Sequence, residues 1–90
     1  MIRLVEVQKN LSGYSLGEVY INPKHVVAMR QDDKMIRVLE EGSLPELDER
    51  QSFTKLYIDR GHTGIDITVV GALQHIKEKL GINTKTLLKG

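Results

Sequence analysis

Three histidines are the residues of this chain best suited to metal or acid–base chemistry, and their spacing argues against both uses. His25, His62 and His75 are widely separated along the sequence. None of them lies two to four residues from another histidine or from a carboxylate in a recognised metal-ligand spacing. His75 does precede Glu78 by three residues, but such a surface pair contributes at most about 0.5 kcal/mol. We therefore expect solvated or capping histidines and no metal site.

Two pairs of adjacent carboxylates, Asp32-Asp33 and Glu40-Glu41, raise the question of a divalent cation. An EF-hand requires oxygen ligands at alternate positions around a glycine, and the segment DDKMIRVLEEG does not supply them. Adjacent residues of a strand point to opposite faces, so Glu40 and Glu41 do not converge on one ion. Asp32 and Asp33 are typical turn residues.

The segment Ser12–Gly17 superficially resembles a phosphate-binding glycine loop. Such a loop opens a helix N-terminus, whereas this segment runs into the strand-like EVYIN, so a flexible hairpin loop is expected. The nucleophile motif Gly-x-Ser-x-Gly is absent, and without cysteine the chain has no thiolate and no disulfide. We expect no catalytic activity and no cofactor. A metal- or ligand-dependent enzyme is kept as the last alternative only because the chain has three histidines.

The composition predicts one small folded domain. The chain has 90 residues, 40% hydrophobic and 28% charged, with a net charge of +1, so no global field favours nucleic acid or membrane. The start MIRLVE is charged early, unlike a signal peptide, and no run approaches the roughly 18 apolar residues of a membrane span. A cytoplasmic location without membrane attachment is expected.

Hydrophobic periodicity predicts an α+β fold. Alternating patterns indicate strands, and the apolar stripe of ALQHIKEKL indicates a helix that ends at Gly81. The acidic segment 40–52 is read as a solvated loop or, through a capping box at Ser43 and Glu46, as one helical turn. Residues 1–82 would form the domain and 83–90 a short basic tail. The predicted strands are residues 2–8, 18–22, 25–30, 35–39, 53–59 and 65–70.

These elements predict an antiparallel sheet of four or five strands with one C-terminal amphipathic helix packed on one face. Residues 35–39 would complete a hairpin with the strand before them. The predicted core is Leu4, Val19, Ile21, Val27, Met29, Ile36, Val38, Leu56, Ile58, Ile67, Val69, Leu73, Ile76 and Leu80.

Several short motifs resemble the small flagellar-operon proteins of the FlbD type and similar short bacterial and phage proteins. The matching segments are Met1-Ile2, Ile21-Asn22-Pro23 with Val26, residues 54–58, Arg60-Gly61, and residues 67–69 before the helix. The resemblance covers roughly two thirds of the chain and leaves the acidic insertion at 40–52 and the segment after Gly81 without counterpart. It implies an accessory or regulatory protein that catalyses no reaction.

One face of the predicted sheet combines aromatic and cationic side chains. If Ile36, Val38, Leu56 and Ile58 face the helix, the opposite face carries Tyr20, Arg37, Phe53, Lys55 and Tyr57. Rings beside cations allow base stacking together with phosphate neutralisation, so this face could bind single-stranded nucleic acid. Glu18, Asp59 and Asp66 share the face, and their negative charges disfavour nucleic-acid binding. An ordinary half-solvated sheet face would carry the same residues without binding nucleic acid.

Segregated charge favours a protein partner instead. Residues 31–50 sum to −4 and residues 71–90 to +3, a distribution that can steer another protein or a second copy of the chain. Small sheets also leave edge strands that need covering. The sequence therefore predicts a non-catalytic adaptor or regulator that binds another protein, as a homo-oligomer, with nucleic-acid binding through the sheet face as the alternative.

Overall fold

The computed structural model describes residues 1–42, 44, 47, 50–59, 61 and 63–82. Within them lie five strands, two α-helices and one 3-10 turn, so the predicted α+β class is confirmed. The strands form a single antiparallel sheet in the order β2-β1-β5-β4-β3. The elements in chain order are β1 (Ile2–Asn10), β2 (Gly13–Ile21), the 3-10 turn (Pro23–His25), β3 (Val26–Gln31), α1 (Lys34–Glu40), β4 (Phe53–Asp59), β5 (Gly64–Val70) and α2 (Leu73–Leu80).

The first hairpin is longer than its sequence suggests. β1 continues to Asn10, whose side-chain oxygen accepts hydrogen bonds from the backbone and hydroxyl of Ser12, each at 3.1 Å. Gly13 follows with a φ of 135°, a conformation that favours glycine. The segment predicted as a flexible loop is therefore mostly strand, and its Tyr14 and Leu16 pack against a hydrophobic cluster.

The predicted strand at 35–39 is wrong, because these residues form helix α1. Ile36 and Val38 alternate as in a strand, but Met35 and Leu39 stand four residues apart and Leu39 is buried, which is the helical spacing. A side-chain oxygen of Asp32 accepts a hydrogen bond from the backbone of Met35 at 3.3 Å and so caps the first turn.

The C-terminal helix is confirmed as α2. Its apolar side buries Ile76 and Leu80. Gly81 adopts a φ of 69°, and the backbone of Ile82 donates to the carbonyl of Lys77 at 3.1 Å, as in a Schellman cap. Residues 83–90, the predicted tail, lie outside the described residues.

The link between β2 and β3 forces the sheet to curl. These are the two edge strands, and only residues 22–25 join them. Ile21 pairs with Ile2 near one end of the sheet, whereas Val26 pairs with Ile58 near the other end. In a flat sheet the two linked residues would lie roughly 30 Å apart, but five residue steps span at most about 18 Å. The sheet therefore bends until its edge strands approach each other.

Curling gives the sheet a concave inner face and a convex outer face. The inner face and α2 share one core, which contains residues of every strand. The outer face packs against α1 and the segment after it in a second core. The buried residues of the inner core are Leu4, Ile21, Val26, Leu56, Val69, Ile76, Leu80 and Ile82, and those of the outer core are Val7, Leu39, Leu44 and Phe53.

Six of the fourteen predicted core residues are buried and six more are partly buried against one of the two cores, whereas Leu73 belongs to neither core and Val27 is wrong. Val27 was expected inside but is 53% exposed, because the pairing of β3 with β4 shifts between Val26 and Ala28 and turns Val27 outward. In segment 40–52, which was expected to be a solvated loop or one helical turn, Leu44 is buried at 1% exposure. The capping-box residues Ser43 and Glu46 lie outside the described residues.

Candidate functional site

The residues proposed for nucleic-acid contact do not form one surface. Tyr20, Lys55 and Tyr57 lie on the outer face of the sheet, as predicted, and Tyr20 is 58% exposed. However, Tyr20 pairs with Arg3 at the start of β1, whereas Tyr57 pairs with Asp66 near the start of β5. The two rings therefore lie toward opposite ends of the sheet.

Phe53 and Arg37 do not belong to an open sheet face, which corrects the prediction. Phe53 does point away from α2, but it is completely buried in the outer core under α1. Arg37 was assigned to the outer face as part of a strand, yet it lies on α1 and is exposed there. Both errors have one cause, the unrecognised helix that packs on the outer face.

The uncovered part of the outer face is polar and internally paired. The Arg30 guanidinium lies 5.5 Å from the centre of the Tyr57 ring, within the range of a cation–π contact. The Lys55 ammonium lies 3.6 Å from a carboxylate oxygen of Asp66. These cations and the ring therefore already have partners within the chain.

Asp32 is the one buried carboxylate among the described residues, at 7% exposure. Its second oxygen accepts a hydrogen bond from the Thr68 hydroxyl at 2.7 Å, in addition to the Met35 backbone bond. The side chain thus ties the start of α1 to the middle of β5. We assign it a structural role, because both of its oxygens are occupied by this tie.

The histidines do not converge. His25 lies in the 3-10 turn and His75 on α2, and both are exposed, while His62 lies outside the described residues. No group of three or more histidines, cysteines, aspartates or glutamates in the described part of the chain could hold a metal ion.

One concave surface of the described residues is a cleft at the open mouth of the curled sheet. Its wall comes from β2 and the 3-10 turn on one side and from β4 and β5 on the other. The cleft has a volume of about 540 Å³ and is open to solvent. Its lining residues are Glu6, Val19, Tyr20, Ile21, Asn22, His25, Ile58, Asp59, Ile65 and Ile67.

A second open cleft of about 580 Å³ continues the first around the hairpin end of β4 and β5. The two share Ile58, Asp59 and Ile65, and the second adds Val27, Tyr57, Gly64 and Asp66. We call this combined surface the mouth cleft. Ile58 and Ile67 are half-buried in it, while Ile65 is 39% exposed.

The mouth cleft also has a distinct charge. Its described lining residues include the carboxylates of Glu6, Asp59 and Asp66 and no lysine or arginine. Lys55 pairs with Asp66, so among the described residues the surplus of negative charge in the cleft comes from Glu6 and Asp59.

Sequence reasoning did not identify this cleft. Ile58 and Ile67 were expected in the core, and nothing in the strand patterns distinguishes a covered isoleucine from one at an open mouth. The available signal was the short connection at 22–25, because a four-residue link between distant strands requires curling and hence a concave face.

Comparison with known proteins adds no relative. No family model matches the sequence, and neither a curated protein nor a solved structure shows significant similarity to this chain. None of the helices in the described residues is long and apolar enough to cross a membrane.

Proposed function

We propose that this chain is a small non-catalytic binding module that holds an apolar segment of another protein in the mouth cleft. One observation carries the proposal. The described chain exposes few large hydrophobic side chains, and three of them, Tyr20, Val27 and Ile65, border this one cleft. The others, Met1 and Leu11, lie at the terminus and at a hairpin tip.

Grouped apolar exposure is the usual mark of an interaction surface, whereas single exposed side chains are ordinary. Each aliphatic side chain that becomes fully covered contributes about 1.5–3 kcal/mol. Ile58, Ile65 and Ile67 keep part of their surface exposed, so a partner segment that covers them gains the fraction of this free energy that belongs to the exposed part. An accessory or regulatory role, which the resemblance to the FlbD type implies, needs only such binding.

Selection from a random octapeptide library on the immobilised protein tests the proposal. We expect apolar peptides whose affinity falls at least about tenfold for Ile65→Ser, a loss that corresponds to ~1.4 kcal/mol. The matched control is Leu11→Ser, which removes an exposed aliphatic side chain outside the cleft. Failure to select any peptide, or equal loss in both variants, would reject the proposal.

Self-association is the form of protein binding that the segregated charge favours. Light scattering should then show a dimer or larger species that dissociates as salt rises, because exposed charges are screened beyond ~10 Å at 0.1 M. A monomer at high protein concentration and low salt would restrict the proposal to a different partner.

Nucleic-acid binding is the second candidate function, and the stacked pair of Arg30 and Tyr57 beside Lys55 favours it. If bases stack there, Tyr57→Ala should weaken binding of a labelled single-stranded oligonucleotide by ~1–3 kcal/mol. Lys55→Ala should reduce the slope of the logarithm of the binding constant against the logarithm of the salt concentration by about one unit. Absence of any binding at low salt would reject this candidate.

A further inference from the structure

The charge of the mouth cleft restricts which apolar segment it can hold. Three carboxylates, from Glu6, Asp59 and Asp66, lie among its described lining residues, and the cation of Lys55 is paired with one of them, 3.6 Å from Asp66. An incoming acidic segment would meet like charge, whereas a basic one would meet opposite charge.

We propose that the occupant of the mouth cleft is a cationic apolar segment, in which lysine or arginine flanks the side chains that cover Ile58, Ile65 and Ile67. This inference rests on the proposed function and adds the chemistry of the partner. The isoleucines supply the apolar contact, and the carboxylates around them select the sign of the flanking charge.

The three carboxylates differ in how much of their charge is available. Asp66 is partly neutralised by Lys55 at 3.6 Å. Asp59 accepts a hydrogen bond from the backbone of Gly61 at 2.9 Å, and Glu6 accepts one from the Gln8 amide at 3.3 Å. Neither of these two donors carries a net charge, so these contacts with the described residues leave the charges of Glu6 and Asp59 in place. The selection therefore depends mainly on these two side chains.

The same octapeptide library supplies the test, because it contains acidic and basic residues alike. Peptides that depend on Ile65 should contain more lysine and arginine than aspartate and glutamate. One selected peptide is then synthesised in two forms, with its flanking positions occupied by lysine or by glutamate. The lysine form should bind at least about fivefold more tightly at low salt, and most of this preference should disappear at about 1 M salt.

Glu6→Gln keeps the size and one amide oxygen of the side chain and removes only its charge. It should reduce the preference for the lysine form by about two- to fivefold. The matched control is Glu18→Gln, which makes the same change on the outer face, where Glu18 pairs with Arg3 at 3.1 Å, and should leave the preference unchanged.

The outcomes separate this inference from the proposed function. Peptides that require Ile65 but bind equally well in both charge forms would overturn the cationic preference and leave the binding module intact. If Glu6→Gln and Glu18→Gln reduce the preference for the lysine form equally, the assignment of that preference to the cleft is also overturned. If the library yields no peptide that depends on Ile65, both proposals fail.

Discussion

The two faces of the curled sheet bury apolar side chains in different ways. On the outer face, α1 and Leu44 cover Phe53, and the uncovered remainder carries paired polar groups such as Lys55 and Asp66. On the inner face, α2 covers part of the sheet, and the uncovered remainder is the apolar part of the mouth cleft, which Ile58, Ile65 and Ile67 form. An uncovered region with satisfied polar groups needs no partner, whereas an uncovered apolar region gains free energy from one. This contrast is the basis of the functional proposal.

Phe53→Ala should have the largest effect, because it removes the fully buried ring on which α1 packs. Truncation of a buried phenylalanine costs about 3–5 kcal/mol of unfolding free energy. Urea unfolding measures the loss, with Tyr20→Ala as the exposed aromatic control that should cost less than about 0.5 kcal/mol. Equal midpoints for both variants would mean that α1 does not cover the outer face.

Ile76→Ala tests the inner core in the same way. Ile76 is 1% exposed on the buried side of α2, and truncation of a buried isoleucine costs about 2–5 kcal/mol. Gln74→Ala is the control on the exposed side of the same helix, where only a hydrogen bond to Glu78 at 3.0 Å is lost. If both substitutions change the unfolding midpoint equally, α2 does not dock on the sheet.

Asp32 and Thr68 should be energetically coupled through the bond that joins α1 to the sheet. Thr68→Val should cost about 1.5–3 kcal/mol, since a buried hydrogen bond to a carboxylate is lost. A double-mutant cycle with Asp32→Ala should give a coupling of about 0.5–3 kcal/mol. Strict additivity of the two single effects would contradict the contact at 2.7 Å.

The ion pair of Lys55 and Asp66 should have the smallest effect on stability. The Asp66 side chain is 56% exposed, and pairs of this kind contribute at most about 1 kcal/mol. Lys55→Met should therefore shift the urea midpoint only slightly, and the shift should vanish at high salt. A loss comparable to that of Phe53→Ala would show that the outer polar region supports the fold.

The sequence predicted those elements whose periodicity matches their burial. The strand pair of β4 and β5 and the helix α2 follow this rule, because Leu56, Val69 and Ile76 occupy regular positions in their elements and are buried. Helix α1 escaped prediction because seven residues give fewer than two helical turns. In so short a segment, alternation at Ile36 and Val38 resembles a strand as closely as a helix.

The candidate site was predictable only in part. Tyr20 and Tyr57 were singled out for one nucleic-acid surface, whereas the structure places Tyr20 in the first part of the mouth cleft and Tyr57 in the second. The cleft itself depends on curling and on the shifted register at Val27, which are tertiary features. Local patterns indicate which side chains share a face, but they do not reveal where a helix of the same chain leaves that face uncovered.

Methyl NMR with a peptide selected on the wild-type protein tests the central claim most directly. The account predicts that the peptide shifts the methyl signals of Ile58, Ile65 and Ile67, which line the inner mouth, and leaves Val7 and Leu39 of the outer core unchanged. Shifts of the Val7 and Leu39 methyl signals without shifts of the three isoleucines would contradict it and would place the binding surface on the outer side of the sheet.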